Sequence, residues 1–157
     1  MQGYDLYLDD FKVGDGFVTG GITVTEGQII DFAMMWDPQP IHMSVDGPKT
    51  ETMGGLMASG FHTICLTFRL FLGSGVLAAS NMSSPGMDNL RWLKPVRPGD
   101  TLHVVSKVIK VAPSRSKPMQ GAMTMEHRTI NQKDETVFSV DCVHFLRRRP
   151  DKAKAGG

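Results

Sequence analysis

Residues 54–75, GGLMASGFHTICLTFRLFLGSG, begin and end with glycine and are apolar on nearly all sides in between. From Leu56 to about Leu72 the run contains His62 and Arg69 and stays below the roughly 20 apolar residues that a membrane span needs. It is therefore expected as a buried helix. A helix apolar all round is buried all round. In a chain of 157 residues, the element able to surround it is a curved sheet.

The second half of the chain supplies that sheet. Met87–Leu93, Thr101–Val111, Met119–Asn131 and Thr136–Arg147 read as strands, separated by turn signals at Pro98-Gly99-Asp100, Pro113–Pro118 and Asn131–Glu135. Upstream, the Val13–Gly16 turn launches an alternating stretch, Phe17–Val24, that reads as another strand. Thr25 followed by Gln28 has the spacing of a capping box, so a short helix is expected over about Glu26–Met35. Pro38 and Pro40 stop it, leaving Trp36–His42 as a stiffened loop. The order strand, helices, four strands defines an α+β domain, a long central helix wrapped by a curved antiparallel β-sheet.

One domain is expected over residues 1–157, with 147–157 (RRRPDKAKAGG) as a flexible, solvated tail. The composition, 41% hydrophobic and 21% charged, is that of a globular protein. A formal net charge of +1 sets up no global field for nucleic acid or an anionic membrane, so neither is expected as a partner. Cys65 and Cys142 lie in separate apolar stretches and read as reduced core residues, which favours the cytoplasm. The amino terminus lacks the basic start and apolar run of a secretory signal.

The segment WDPQPIH (36–42) places a carboxylate and an imidazole on a proline-braced loop directly after a helix. Two such groups around one water can take a proton from it and return one to a neighbouring carbon, the demand of adding water across an activated double bond. Spacing alone leaves open a turn-capping Asp37 and a structural His42. No second His or Cys lies at ligand spacing nearby, so no metal is expected.

The glycine-rich sequence entering the long helix offers unpaired N–H groups and the positive end of a helix dipole to an oxygen that gains charge. Gly60 would let a ligand approach the backbone closely. Tight helix packing would equally explain these glycines.

Taken in order, FAMMWDPQPIHMSVD, GGLMASGFHT and LRWLKPVRPGDTL resemble the MaoC-like dehydratases, the family of (R)-specific enoyl-CoA hydratases, over about Asp9 to Leu146. The resemblance implies a hot-dog fold, usually dimeric or higher. It implies an acid/base pair at Asp37 and His42, and a thioester-binding site at Gly60, whose N–H takes the carbonyl, and Ser59. It departs from the family's pattern in three places. Trp36 stands where a small residue is usual, Gln39 where asparagine is usual, and Ser59 where histidine is usual.

The function expected is thus that of a hydratase/dehydratase on an enoyl or 3-hydroxyacyl thioester. Coenzyme A belongs to the substrate, and there is no separate cofactor. Trp36, Gln39 and Phe61 are candidate walls of the substrate pocket. Arg115 and Lys117 are candidate contacts to the coenzyme phosphates, with Arg91, Lys94 and Arg97 as a second basic patch. A hot-dog acyl-CoA thioesterase and a non-catalytic acyl-thioester-binding subunit remain as alternatives.

Overall fold

The computed structural model describes residues 4–150. A single 3-10 turn, Leu8–Asp10, precedes two short strands, β1 (Gly16–Val18) and β2 (Ile22–Thr23). The sequence suggested one strand here. The break falls at Gly20-Gly21, where Thr19 bonds Val104 through both its N–H (3.0 Å) and its hydroxyl, which accepts from Val104 N–H at 2.9 Å. Helix α1 follows at Glu26–Trp36, capped as anticipated by reciprocal Thr25–Gln28 bonds.

The expected loop over residues 36–42 is shorter than anticipated, because Pro40 opens a one-turn helix, α2 (Pro40–Met43). Proline at the first helical position sacrifices no intrahelical bond and presets φ. Pro48 does the same for α3 (Pro48–Thr52). The long helix α4 spans Gly60–Gly73 and begins later than the apolar run. Gly54 and Gly55 have φ of +76° and +113°, outside helical space, and Ser59 caps the first turn by accepting from Phe61 N–H at 3.2 Å.

Four long antiparallel strands complete the chain: β3 (Asn81–Trp92), β4 (Thr101–Pro113), β5 (Gln120–Ile130) and β6 (Thr136–Arg147). The sheet order is β1-β4-β5-β6-β3, with β2 also paired to β4. β3 starts well before Met87 in spite of Pro85. It is an edge strand, where a missing N–H costs no ladder bond, and its pairing to β6 is shifted between Ser83 and Gly86.

The concave face of the sheet packs on one side of α4. Leu66, with Val24, Ile29, Leu102 and Phe138, forms an apolar cluster, and Phe71 with Leu8, Met123, Met125 and Leu146 forms a second. Between Phe68 and Phe71 sits His127, bonded to Ser106 (2.8 Å) and to His144 (3.3 Å).

Two expectations are corrected by this packing. α4 is not buried all round: Phe61, Cys65, Arg69 and Leu72 form an exposed stripe, because within one chain the sheet covers only the opposite face. Cys65 is accordingly exposed, whereas Cys142 is buried.

The basic carboxyl end is anchored further than expected. Arg147 ends β6, Arg148 forks onto Asp9 (2.7 and 3.0 Å), and Arg149 meets Asp5 and Asp10 and lies over the Tyr7 ring. The remainder of the expected tail lies outside the described residues. No helix among them is long and apolar enough to cross a membrane.

Candidate active site

Asp37 is the residue on which α1 ends; its N–H still bonds Ala33 O, at 2.9 Å, while its own φ and ψ leave the helix. A carboxylate there faces the negative end of the helix dipole, so it needs donors. Two reach it. Ser59 Oγ donates to Oδ2 at 2.6 Å, and Gln39 Nε2 donates to Oδ1 at 2.8 Å. The Ser59 bond, then the Gln39 bond, hold the Asp37 carboxyl below the ordinary carboxylate range, against a smaller opposing effect of burial and with further help from His42.

His42 lies in α2 and is 5% exposed. Its Nδ1–H donates to the Met57 carbonyl at 2.8 Å. A carbonyl can only accept, so this bond fixes the tautomer: the neutral ring presents an Nε2 lone pair. That Nε2 stands 3.5 Å from Asp37 Oδ2. The two groups are therefore a pair of acceptors around one small space, able to hold a water by both its protons.

Gly60 opens α4, and its N–H has by position no carbonyl partner within the helix. Trp92, at the end of β3, lies against it. Its Nε1–H donates to Gly60 O at 3.0 Å, and a Cβ on Gly60 would meet the indole at 2.6 to 2.9 Å. Asp37, His42 and Gly60 line one open cleft of about 450 Å³, with Met57, Phe61 and Trp92 among its other walls. A second hollow of about 440 Å³ shares Gln39 and Met53 with it.

The residues singled out from sequence are thus distributed unevenly. Asp37, His42, Gln39, Gly60 and Phe61 converge on the cleft. Ser59 is fully buried behind it, and its single proton is directed at Asp37 rather than into the cavity. Trp36 is no wall of the cleft; its side chain is 67% exposed on the last turn of α1. Arg115 and Lys117 lie in the β4–β5 connection, a strand length of about 40 Å from the end of β4 next to the cleft, so this chain does not bring them to Asp37. Lys94 and Arg97 line the cleft, Lys94 being paired with Glu135.

Trp92 and the Met57 carbonyl were not identified from sequence. An aromatic at the end of a strand gives no sign of which helix start it will touch, and a backbone acceptor has no sequence signature at all.

Outside the cleft, the donor atoms of His127, Cys142 and His144 lie within 4.8 Å of one another. The two imidazoles already satisfy each other and Ser106, as neutral core groups do.

Comparison with known proteins shows the family and the fold. Residues 11–131 match the model of the MaoC like domain. The chain belongs to that family. A MaoC-like dehydratase structure from Rhodospirillum rubrum is 38% identical with a TM-score of 0.86, over 92% of this chain and 99% of that one. The uncharacterized protein YdeM of Bacillus subtilis is 29% identical over 91% of this chain and its own full length. The mesaconyl-CoA hydratase of Cereibacter sphaeroides is 34% identical over 57% of this chain, which spans only 26% of that enzyme. The hot-dog fold expected from sequence is the fold observed.

Proposed function

We propose that the protein is a hydro-lyase that hydrates an enoyl thioester, or dehydrates the corresponding 3-hydroxyacyl thioester, with coenzyme A as the carrier. The observation that carries this reading is the shared cleft of an ionised carboxylate, an imidazole of fixed tautomer and the unpartnered N–H of a helix start. The mesaconyl-CoA hydratase relative supports it at the level of reaction class.

The chemistry follows from the protonation states. The thioester carbonyl accepts from Gly60 N–H, where the α4 dipole favours the charge it gains, and Cβ becomes electrophilic. A water held by Asp37 and His42 attacks Cβ. His42 Nε2 takes one of its protons as the C–O bond forms and then gives that proton to Cα, so water is added and the ring returns to its starting state. Asp37, held as an anion, is a poor proton donor; it fixes the water and stabilises the transient imidazolium.

Asp37→Asn and His42→Ala are expected to lower hydration by about 10² to 10⁴-fold while leaving the fold intact. Activity near that of the wild type in either variant would overturn the assignment. Release of free thiol without hydration would instead identify a thioesterase.

We infer in addition that the working unit is a homodimer. The exposed α4 stripe, the unpaired edge of β3 and exposed Met82, Met87 and Trp92 beside it form a surface that a second copy would cover.

A further inference from the structure

Every group of the candidate site depends on residues 57–60. Met57 O fixes the His42 ring, Ser59 holds the Asp37 carboxylate, and Gly60 starts α4. The segment just before them has little stiffness of its own, since Gly54 and Gly55 are consecutive glycines with positive φ. Its N–H groups are held by α3 and α2, Gly54 and Gly55 bonding Glu51 O and Thr50 O at 2.9 Å and Met57 bonding Ile41 O at 3.3 Å, and its carbonyls are held by one side chain in the Pro95–Asp100 turn. Arg97 Nη1 donates to Gly55 O (2.5 Å) and Leu56 O (3.3 Å), and Nη2 donates to Met53 O (2.5 Å).

The clamp is itself fixed at its base. Arg97 N–H donates to Asp100 Oδ2 at 2.8 Å, and Asp100 N–H donates to Arg97 O at 3.0 Å. Beside it, Ala58 N–H donates to Val96 O at 2.8 Å. A Cβ on Gly54 would stand 3.3 Å from Arg97 Nη2, so the turn and the guanidinium are fitted to each other.

Three carbonyl dipoles converging on one cation is an arrangement a free surface arginine does not have. No carboxylate among the described residues pairs with the Arg97 side chain. The planar fork matters, because it sends two separate nitrogens to different carbonyls, whereas an ammonium gathers its three donors on one atom.

We propose that Arg97 is a positioning residue. By holding Met53, Gly55 and Leu56 it sets the Met57 carbonyl, and through it the tautomer and direction of the His42 ring. The effect on turnover rests on the hydro-lyase reading above; the effect on the His42 tautomer does not.

The test compares wild type with Arg97→Ala and Arg97→Lys. Nitrogen-15 histidine labelling reports the His42 tautomer in the free protein, and hydration kinetics are run on a crotonyl-CoA probe. In the wild type His42 is expected as the Nδ1–H form. In Arg97→Ala the two tautomers mix, and kcat falls roughly 10- to 100-fold with KM much less changed, because the catalytic groups are misplaced rather than removed. Added methylguanidinium restores part of both signals, which recovery of a merely destabilised fold would not require.

An unchanged tautomer with kcat within about two-fold of wild type would overturn the proposal. Should Arg97→Ala fail to fold, Arg97→Lys decides: a wild-type tautomer and kcat there refute the fork, and a mixed tautomer supports it. If no enoyl thioester turns over even in the wild type, the hydro-lyase reading fails while the tautomer measurement still tests the clamp.

Discussion

Lowering the pH from 7 to 5 should destabilise this protein through two histidines that lie outside the candidate site. His127 and His144 are buried between α4 and the sheet, and burial pushes their pKa values from 6.5 down to about 3 and about 4, with the neighbouring His144 adding to the effect on His127. Above pH 6.5 both folded and unfolded chains carry neutral imidazoles, and the full stability is present. Below it the unfolded chain takes up two protons that the folded one refuses, so stability is lost as pH falls toward the folded values. Linkage sets the slope at somewhat under two protons, roughly 2–3 kcal/mol per pH unit near pH 5, and the loss between pH 7 and 5 at about 4 kcal/mol, a large share of the roughly 5–15 kcal/mol of a typical domain. His62, stacked on Phe32 and also held low by burial, acts in the same direction. Asp37 and Glu135, whose pKa values are lowered from 3.8 and 4.5, begin to matter only below this window. Urea unfolding midpoints at pH 7, 6 and 5 and constant ionic strength measure the slope. A loss well under one proton's worth, or an equal slope in the His127→Gln/His144→Gln double variant, would refute the reasoning.

Ser59→Ala removes the principal donor to the Asp37 carboxylate, so the acidic limb of the rate profile should move to higher pH; an unmoved limb would show that this bond does not set the ionisation. Gly60→Ala drives a methyl group to 2.6 Å from the Trp92 ring; kcat/KM should fall about ten-fold or more, and adding Trp92→Ala should recover part of the loss by removing the clash. Thr25→Ala deletes the cap of α1 and should cost about 1 kcal/mol by urea unfolding, without changing KM. Leu72→Glu puts a charge on the exposed α4 stripe; light scattering should report a lighter particle than the wild type, and an unchanged mass would remove that face from the interface.

Much of the fold could be read from local rules, because those rules hold within a few residues. The Thr25–Gln28 box and the alternation along Thr136–Arg147 each specify their own element, and both occur; the prolines after Trp36 end α1 as read, but Pro40 opens a helical turn where a loop was expected. What escaped depends on distant partners. The side of α4 left open is decided by where the sheet ends, not by the composition of the helix, so Cys65 and Leu72 read as core and are exposed. Of the candidate site, Asp37 and His42 were legible because five residues of braced chain keep them together. Arg97 read as a surface cation because nothing local announces the three carbonyls 41 to 44 residues away that it holds.

The placement of the two helix ends around the cleft bears on why the reaction would run here. Asp37 stands at the carboxyl end of α1 and Gly60 at the amino end of α4, and both line the same cavity. The negative end of one dipole and the positive end of the other thus lie on different walls. In the proposed hydration, electron density moves from the attacking water through Cβ and Cα to the thioester oxygen. Positive charge builds on the imidazole beside Asp37, and negative charge builds on the oxygen beside Gly60. Both shifts run with the fixed field, which needs no rearrangement at the moment of reaction. The same field works against Asp37 in the resting protein, where an anion at a helix carboxyl end is disfavoured. The donors from Ser59 and Gln39 offset that cost and keep the carboxylate charged for the step that uses it.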